Sequence, residues 1–209
     1  MKEGRQVFIN CPFDRAYRPL LRALLFAIHD CGFRPRSALE VQDSGEVRVQ
    51  KVIRIIGESP LGIHDISRVE LDPSSHLPRF NMPLELGLFM GAKAYGGTDQ
   101  QAKRALILDS DPYRYHKFCS DIAGQDIQAH GNKPQVVIEL VRNWLSTTPA
   151  TKGIVIPSGS LVAKRYKFYR AELPALCAKL RLDPRRLTFH DDMSLVTAWL
   201  DENPWAPSA

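Results

Sequence analysis

Gly62-Ile63-His64-Asp65-Ile66-Ser67-Arg68, followed after a polar interruption by Arg79-Phe80-Asn81-Met82-Pro83-Leu84-Glu85-Leu86-Gly87-Leu88-Phe89-Met90-Gly91-Ala92, is the stretch on which the fold turns. It reads as a short buried strand ending in Asp65, a loop, and a helix that opens at Asn81 or Met82 with Glu85 in its first turn. Two carboxylates then lie near one edge of a sheet. In open α/β sheets, ligands bind in the crevice beyond the carboxyl ends of the strands.

Upstream, Gln6-Val7-Phe8-Ile9-Asn10-Cys11 is an apolar run stopped by Pro12, which suits a central strand. Arg15 to Cys31 carries Leu20, Leu21, Leu24, Leu25 and Ile28 at helical spacing, and Gly32 stops it. Phe33 to Val41 reads as a second, irregular strand. Asp43-Ser44-Gly45 is a turn leading into a helix over 46–58 whose apolar positions are Val49, Val52, Ile53 and Ile56. Downstream of Ala92, Arg104 to Asp109 is a strand without alternation, as in a sheet covered on both faces. Asp111 to Lys133 is polar, with a short helix near Tyr115 to Ile122. Pro134 to Leu145 is a helix with Pro in its first turn. Strands alternating with helices predict an α/β fold with a doubly wound, mostly parallel sheet. That domain is read as 1–146, followed by a linker over 147–158 and a small α-helical C-terminal tail over 159–209, with helices at Ser160 to Arg181 and Ser194 to Asp201.

The composition is that of an ordinary folded domain, with 44% hydrophobic and 24% charged residues in 209. No run approaches the roughly 18 apolar residues of a membrane helix, and the first residues lead into a strand instead of a signal-peptide core, so no membrane partner and a cytoplasmic location are expected. Cys11, Cys31, Cys119 and Cys177 are far apart and read as reduced, mostly buried thiols. The net charge of +5 allows an anionic partner, and Arg15, Arg18, Arg22, Arg34 and Arg36 crowd the first third. Lys164 to Arg170 interleaves cations with aromatics as single-strand nucleic-acid binders do, but its spacing favours the solvated face of an amphipathic helix. His64, Asp65 and Ser67 lack a nucleophile elbow. His116 and His130 flank Cys119 and Asp121 without a zinc spacing, read as polar surface histidines, and leave no metal expected. No Gly-x-Gly-x-x-Gly or P-loop occurs, which disfavours dehydrogenases and NTPases.

Val7-Phe8-Ile9-Asn10-Cys11-Pro12-Phe13-Asp14 resembles the first motif of Toll/interleukin-1 receptor (TIR) domains. Asp65-Ile66-Ser67 with a helix-borne Glu85 followed by Gly87 resembles both enzymatic TIR domains and nucleoside 2-deoxyribosyltransferases. The resemblance covers roughly Gln6 to Leu145. It implies a flavodoxin-like sheet and cleavage of an N-glycosidic bond in NAD or a related nucleotide, with NAD as substrate and no cofactor. It makes Glu85 the essential carboxylate and Asp65 a second catalytic carboxylate that grips ribose. Asn10, Phe13, Asp14, Ser67 and Asn81 would line the substrate pocket, with Arg79, or Arg34 and Arg36, on a pyrophosphate. One departure is that Asn81-Met82-Pro83 precedes Glu85 where the deoxyribosyltransferases have a Gly-Thr-type turn. The resemblance further implies a hydrolase in bacterial antiviral defence, and self-association.

A carboxylate suits this chemistry because base departure passes through an oxocarbenium-like state that an anion stabilises or captures. Each residue also has a structural reading. Glu85 in a first turn would favour the helix dipole, Asp65 would cap the turn after its strand, and Asn81 would serve as an N-cap. The alternative function is a non-catalytic nucleotide-sensing or protein-interaction module that uses the same crevice.

Overall fold

The computed structural model describes residues 4–71 and 76–205. Five strands form one all-parallel sheet: β1 (Gln6–Asn10), β2 (Arg34–Arg36), β3 (Leu61–Asp65), β4 (Arg104–Asp109) and β5 (Gln128–Ala129). Their spatial order is β2-β1-β3-β4-β5, the flavodoxin-like doubly wound order. The chain reverses its direction of winding between β1 and β3, which opens a crevice at their carboxyl ends.

Among the described residues the helices are α1 (Arg18–Asp30), α2 (Arg48–Glu58), α3 (Asn81–Tyr95), the single turn α4 (Thr98–Gln101), α5 (Pro134–Leu145), α6 (Gly159–Lys179) and α7 (Phe189–Glu202). Helices α1 and α5 cover one face of the sheet, and α2 and α3 the other. The two-residue period of the strands divides their side chains accordingly. Val7, Ile9, Leu61, Ile63, Leu106 and Leu108 enter the α1/α5 core, whereas Phe8 meets Val52, Ile55, Ile56 and Phe89 on the opposite face.

Helices α6 and α7 pack outside α1 and α5 and join the same core. Phe26 of α1 meets Tyr166, Tyr169 and Trp199 with ring centroids 5.4, 5.3 and 5.6 Å away. Arg22 pairs with buried Asp192 at 2.7 Å, and Arg165 pairs with Asp30 at 3.1 Å while lying over Trp199 and Trp205. The basic stretch of α6 therefore turns Arg165, Tyr166 and Tyr169 inward and leaves Lys164, Lys167 and Phe168 at the surface.

Several boundaries differ from the sequence reading. The second strand has three residues, because only Arg34–Arg36 pair with β1. Helix α2 buries Val52, Ile55 and Ile56, while Val49 and Ile53 are exposed. Helix α7 starts at Phe189, five residues before the expected Ser194, because Thr188 and Asp191 form a reciprocal capping box. The expected short helix is two 3-10 turns, Arg114–Lys117 and Ser120–Ile122, and β5 was not expected. Of the polar loop expected between Arg68 and Arg79, residues 72–75 lie outside the described residues; Leu71 and Pro78 form an antiparallel bridge.

No described helix is long and apolar enough to cross a membrane. The four cysteines are free, and Cys11, Cys31 and Cys177 are buried.

Candidate functional site

The carboxyl edge is organised by Asp65, which is fully buried. Its Oδ2 accepts from the Tyr17 hydroxyl in a very short hydrogen bond, and from His130 Nε2 at 3.0 Å. Its Oδ1 accepts from the Ser67 backbone N–H at 2.9 Å. Tyr17 comes from the turn ahead of α1, and His130 from the residue after β5, so one carboxylate joins three parts of the chain across the edge. The His130 tautomer follows from its other nitrogen, since Nδ1 accepts the Asn132 N–H at 3.0 Å and the ring proton must sit on Nε2. Burial, reinforced by the Asp65 charge, pushes the Tyr17 phenol well above its ordinary pKa, so it stays a donor.

On the α2/α3 face, Asn10 and His64 are register partners on β1 and β3. Asn10 Nδ2 donates to His64 Nδ1 at 3.1 Å and to the Met82 carbonyl at 2.7 Å, which ties the start of α3 to both strands. His64 is buried between Phe8 and Phe89, with ring centroids 5.9 and 4.8 Å away, and burial lowers its pKa to about 3. The neutral ring carries its proton on Nε2, which has no hydrogen-bond partner among the described residues. Gly62 makes room for this packing: a Cβ there would lie 2.7 Å from both His64 Nε2 and Phe89.

Helix α3 buries Met82, Leu86 and Phe89 against the sheet. Asn81, Glu85 and Leu88 follow one another at helical spacing on the neighbouring face, which turns toward α2. With Leu84 of α3 and Arg48, Val49 and Val52 of α2, they line a cavity of about 200 Å³. Glu85 is the fifth residue of α3, beyond the first turn expected from sequence, so it neither caps the helix nor meets the dipole at its end. Partial burial raises its carboxyl pKa, and the Arg48 guanidinium works against that rise. The Cys11 thiol, buried just beyond β1, is pushed up first by burial and then by the charges of Asp65, Glu85 and Asp14.

The sequence-predicted residues are thus only partly assembled. Asn10, Asp65, Ser67, Asn81 and Glu85 gather around the β1/β3 edge. Asp14 sits beside them with its carboxylate taken by Arg79 at 2.7 Å. Phe13 and Asp14 also line a separate cavity with Leu187, Thr188 and Asp192. Arg34 is not brought to this edge: it pairs in register with Gln6 at the amino ends of the strands and borders a cavity against Phe189, His190 and Met193 of α7. Asp65 lies beneath the edge, its lone pairs held by three donors, and does not reach the cavity as a ribose contact would. Asn81 leaves the N-cap position to Phe80 and makes no capping bond.

His130 corrects the sequence reading most directly, since it is buried and bonded to Asp65 where a surface histidine was expected. Tyr17, Arg48 and Arg114 were also missed. Arg114 bonds Asp109 at 2.8 Å, the Ile66 carbonyl at 3.1 Å and Glu70 at 3.1 Å, and so locks the loops after β3 and β4 together. One signal for His130 was present: a buried strand-end aspartate needs donors, and a polar stretch leading into a sheet-facing helix is a source of them. Among the described residues no group of three His, Cys, Asp or Glu side chains converges to hold a metal ion. Comparison with protein-family models, curated proteins and solved structures finds no match to this chain.

Proposed function

We propose that this chain cleaves the N-glycosidic bond of NAD or a related nucleotide, with Glu85 as the essential carboxylate. The observation that carries the reading is the position of Glu85. It is a partly desolvated carboxylate in the wall of a cavity, beside a cation and an amide, at the crevice where the strand order reverses. A fixed anion in such a place stabilises positive charge developing at an anomeric carbon, an effect worth several kcal/mol, or captures the sugar covalently. Arg48 works against the rise that burial imposes on the Glu85 pKa and is suited to an anionic group of the substrate, and Asn81 offers hydrogen bonds to hydroxyls. Asp65 serves as a positioning residue that holds Tyr17, His130 and the β3 loop. The resemblance to enzymatic TIR domains and deoxyribosyltransferases agrees with this assignment and extends it to a bacterial defence setting.

Self-association belongs to the same proposal. Val49, Ile53, Phe80 and Leu84 are exposed apolar side chains on α2, at the start of α3 and along it, a rim that a second copy of the chain would cover. Turnover per molecule should then rise with protein concentration. Activity strictly linear in enzyme down to dilute conditions would exclude this gating.

A second reading is favoured by one observation, the complete enclosure of Asp65, which leaves Glu85 without a companion carboxylate to grip ribose. Under it the crevice senses a nucleotide without turning it over. Concentrated protein incubated with NAD and a panel of nucleosides and nucleotides, with released base followed by chromatography, separates the two. Base release supports the glycosidic reading. No release combined with a ligand-induced rise in melting temperature supports the sensor.

A further inference from the structure

Three of the five arginines that crowd the first third of the sequence converge with two from the C-terminal helical region. Arg15, Arg18 and Arg22, leading into and along α1, meet Arg170 of α6 and Arg185 of the α6–α7 connection around a cleft of about 520 Å³. Its remaining walls are Pro19 and Pro184. Arg22 is the deepest of the five, with only 8% of its surface exposed. Its Nε donates to Asp192, but its Nη2 is buried without a hydrogen-bond partner among the described residues. Nη1 of Arg170 and the hydroxyl of Tyr169 are buried and unpartnered in the same way, and Tyr169 lies within electrostatic reach of both arginines. Arg18 reaches only a carbonyl, that of Leu187 at 3.1 Å. The side chains of Arg15, Arg170 and Arg185 make no hydrogen bond or ion pair among the described residues. Asp192 is the carboxylate facing this group; Asp183 accepts the Arg185 backbone N–H at 2.9 Å.

Arg22 and Arg170 each bury an N–H group without an acceptor, which is costly, and three further arginines line the same cleft, so the arrangement calls for an anion. Guanidinium forks match the paired oxygens of phosphate. No aromatic ring lines the cleft, so it has no platform for stacking a base. Its volume is that of a small-ligand site.

We propose that this cleft binds a compact oligophosphate, a ligand carrying two or three linked phosphoryl groups that it recognises through those groups alone. The site shares no lining residue with the Glu85 cavity, so it stands or falls independently of the glycosidic reading.

Calorimetric titration of the full chain with inorganic tripolyphosphate tests this, with orthophosphate and single-stranded RNA of graded length as comparison ligands. Tripolyphosphate should bind at one site, more tightly than orthophosphate, with affinity falling as salt rises. Arg170→Gln and Arg185→Glu should each weaken it by about tenfold or more without lowering the unliganded melting temperature. Arg54→Gln, on the exposed face of α2, should have no effect. Absence of binding at millimolar tripolyphosphate, or binding indifferent to Arg170→Gln and Arg185→Glu, overturns the proposal. RNA affinity that grows with length beyond that of tripolyphosphate overturns it too, in favour of an extended nucleic-acid surface.

Discussion

Lowering the pH should cost this protein stability at His64, with a sign set by the burial of its ring. The folded pKa of His64 is about 3, because burial between Phe8 and Phe89 disfavours the imidazolium, against an ordinary value of 6.5. Between those values the unfolded chain binds one more proton than the folded one, so stability is complete above pH 6.5 and falls as the pH drops toward 3. At pH 5 the loss from this group is about 2 kcal/mol, from 1.36 kcal/mol per pH unit. His29, lowered from 6.5 to about 4 mainly by burial, adds a similar loss of about 2 kcal/mol at that pH. Asp30, Glu85, Asp109 and Asp192, all raised chiefly by burial, work in the opposite direction, but they are common to wild type and variant. His64→Gln, whose amide oxygen can still accept from Asn10, removes the titration without orphaning that donor. Urea unfolding followed by circular dichroism at pH 8 and pH 5 should show wild type losing about 2 kcal/mol more than the variant. Equal losses in the two proteins would refute the claim that His64 is enclosed as a neutral ring.

Three further outcomes follow from the same geometry. Asp65→Asn must set its amide NH2 against a donor in either orientation, the Ser67 N–H on one side or Tyr17 and His130 on the other, where the His130 ring cannot change tautomer while Nδ1 accepts from Asn132, and should cost about 3 kcal/mol in thermal unfolding. A change under 0.5 kcal/mol would show that the edge does not depend on this carboxylate. Gly62→Ala drives a Cβ to 2.7 Å from His64 and Phe89 and should lower stability by about 1–3 kcal/mol, measured by urea midpoint. Arg48→Met removes the cation that opposes the raised pKa of Glu85, so the acid limb of any turnover should move to higher pH; an unmoved limb would separate Glu85 from the titration.

What the sequence reveals divides by the range of the interactions. Leu61–Asp65, Asn81–Tyr95 and Pro134–Leu145 are legible because apolar spacing, Pro and Gly act within a few residues. Glu85 can be placed on its helix for the same reason, and its turn toward α2 follows from the buried stripe of Met82, Leu86 and Phe89. The Asp65 cluster is not legible, since Tyr17 and His130 lie 48 and 65 residues away from it in sequence. Strand β5 has two residues without a hydrophobic pattern, yet it is what delivers His130 to the edge. Arg34 misleads for the complementary reason: it sits on a strand of the right sheet, and only the parallel register with Gln6 shows it to be at the other end.

The central claim is that Glu85 does chemistry on a bound nucleotide, and Glu85→Gln tests it with the least disturbance of shape. Wild type and variant, matched for melting temperature, should be compared for base release from NAD and for NAD binding by calorimetry. The account predicts release by the wild type, loss of at least about a hundredfold in turnover in the variant, and binding retained within a few-fold. Release that persists undiminished in Glu85→Gln, or its absence from both proteins at high concentration across the nucleotide panel, would contradict it.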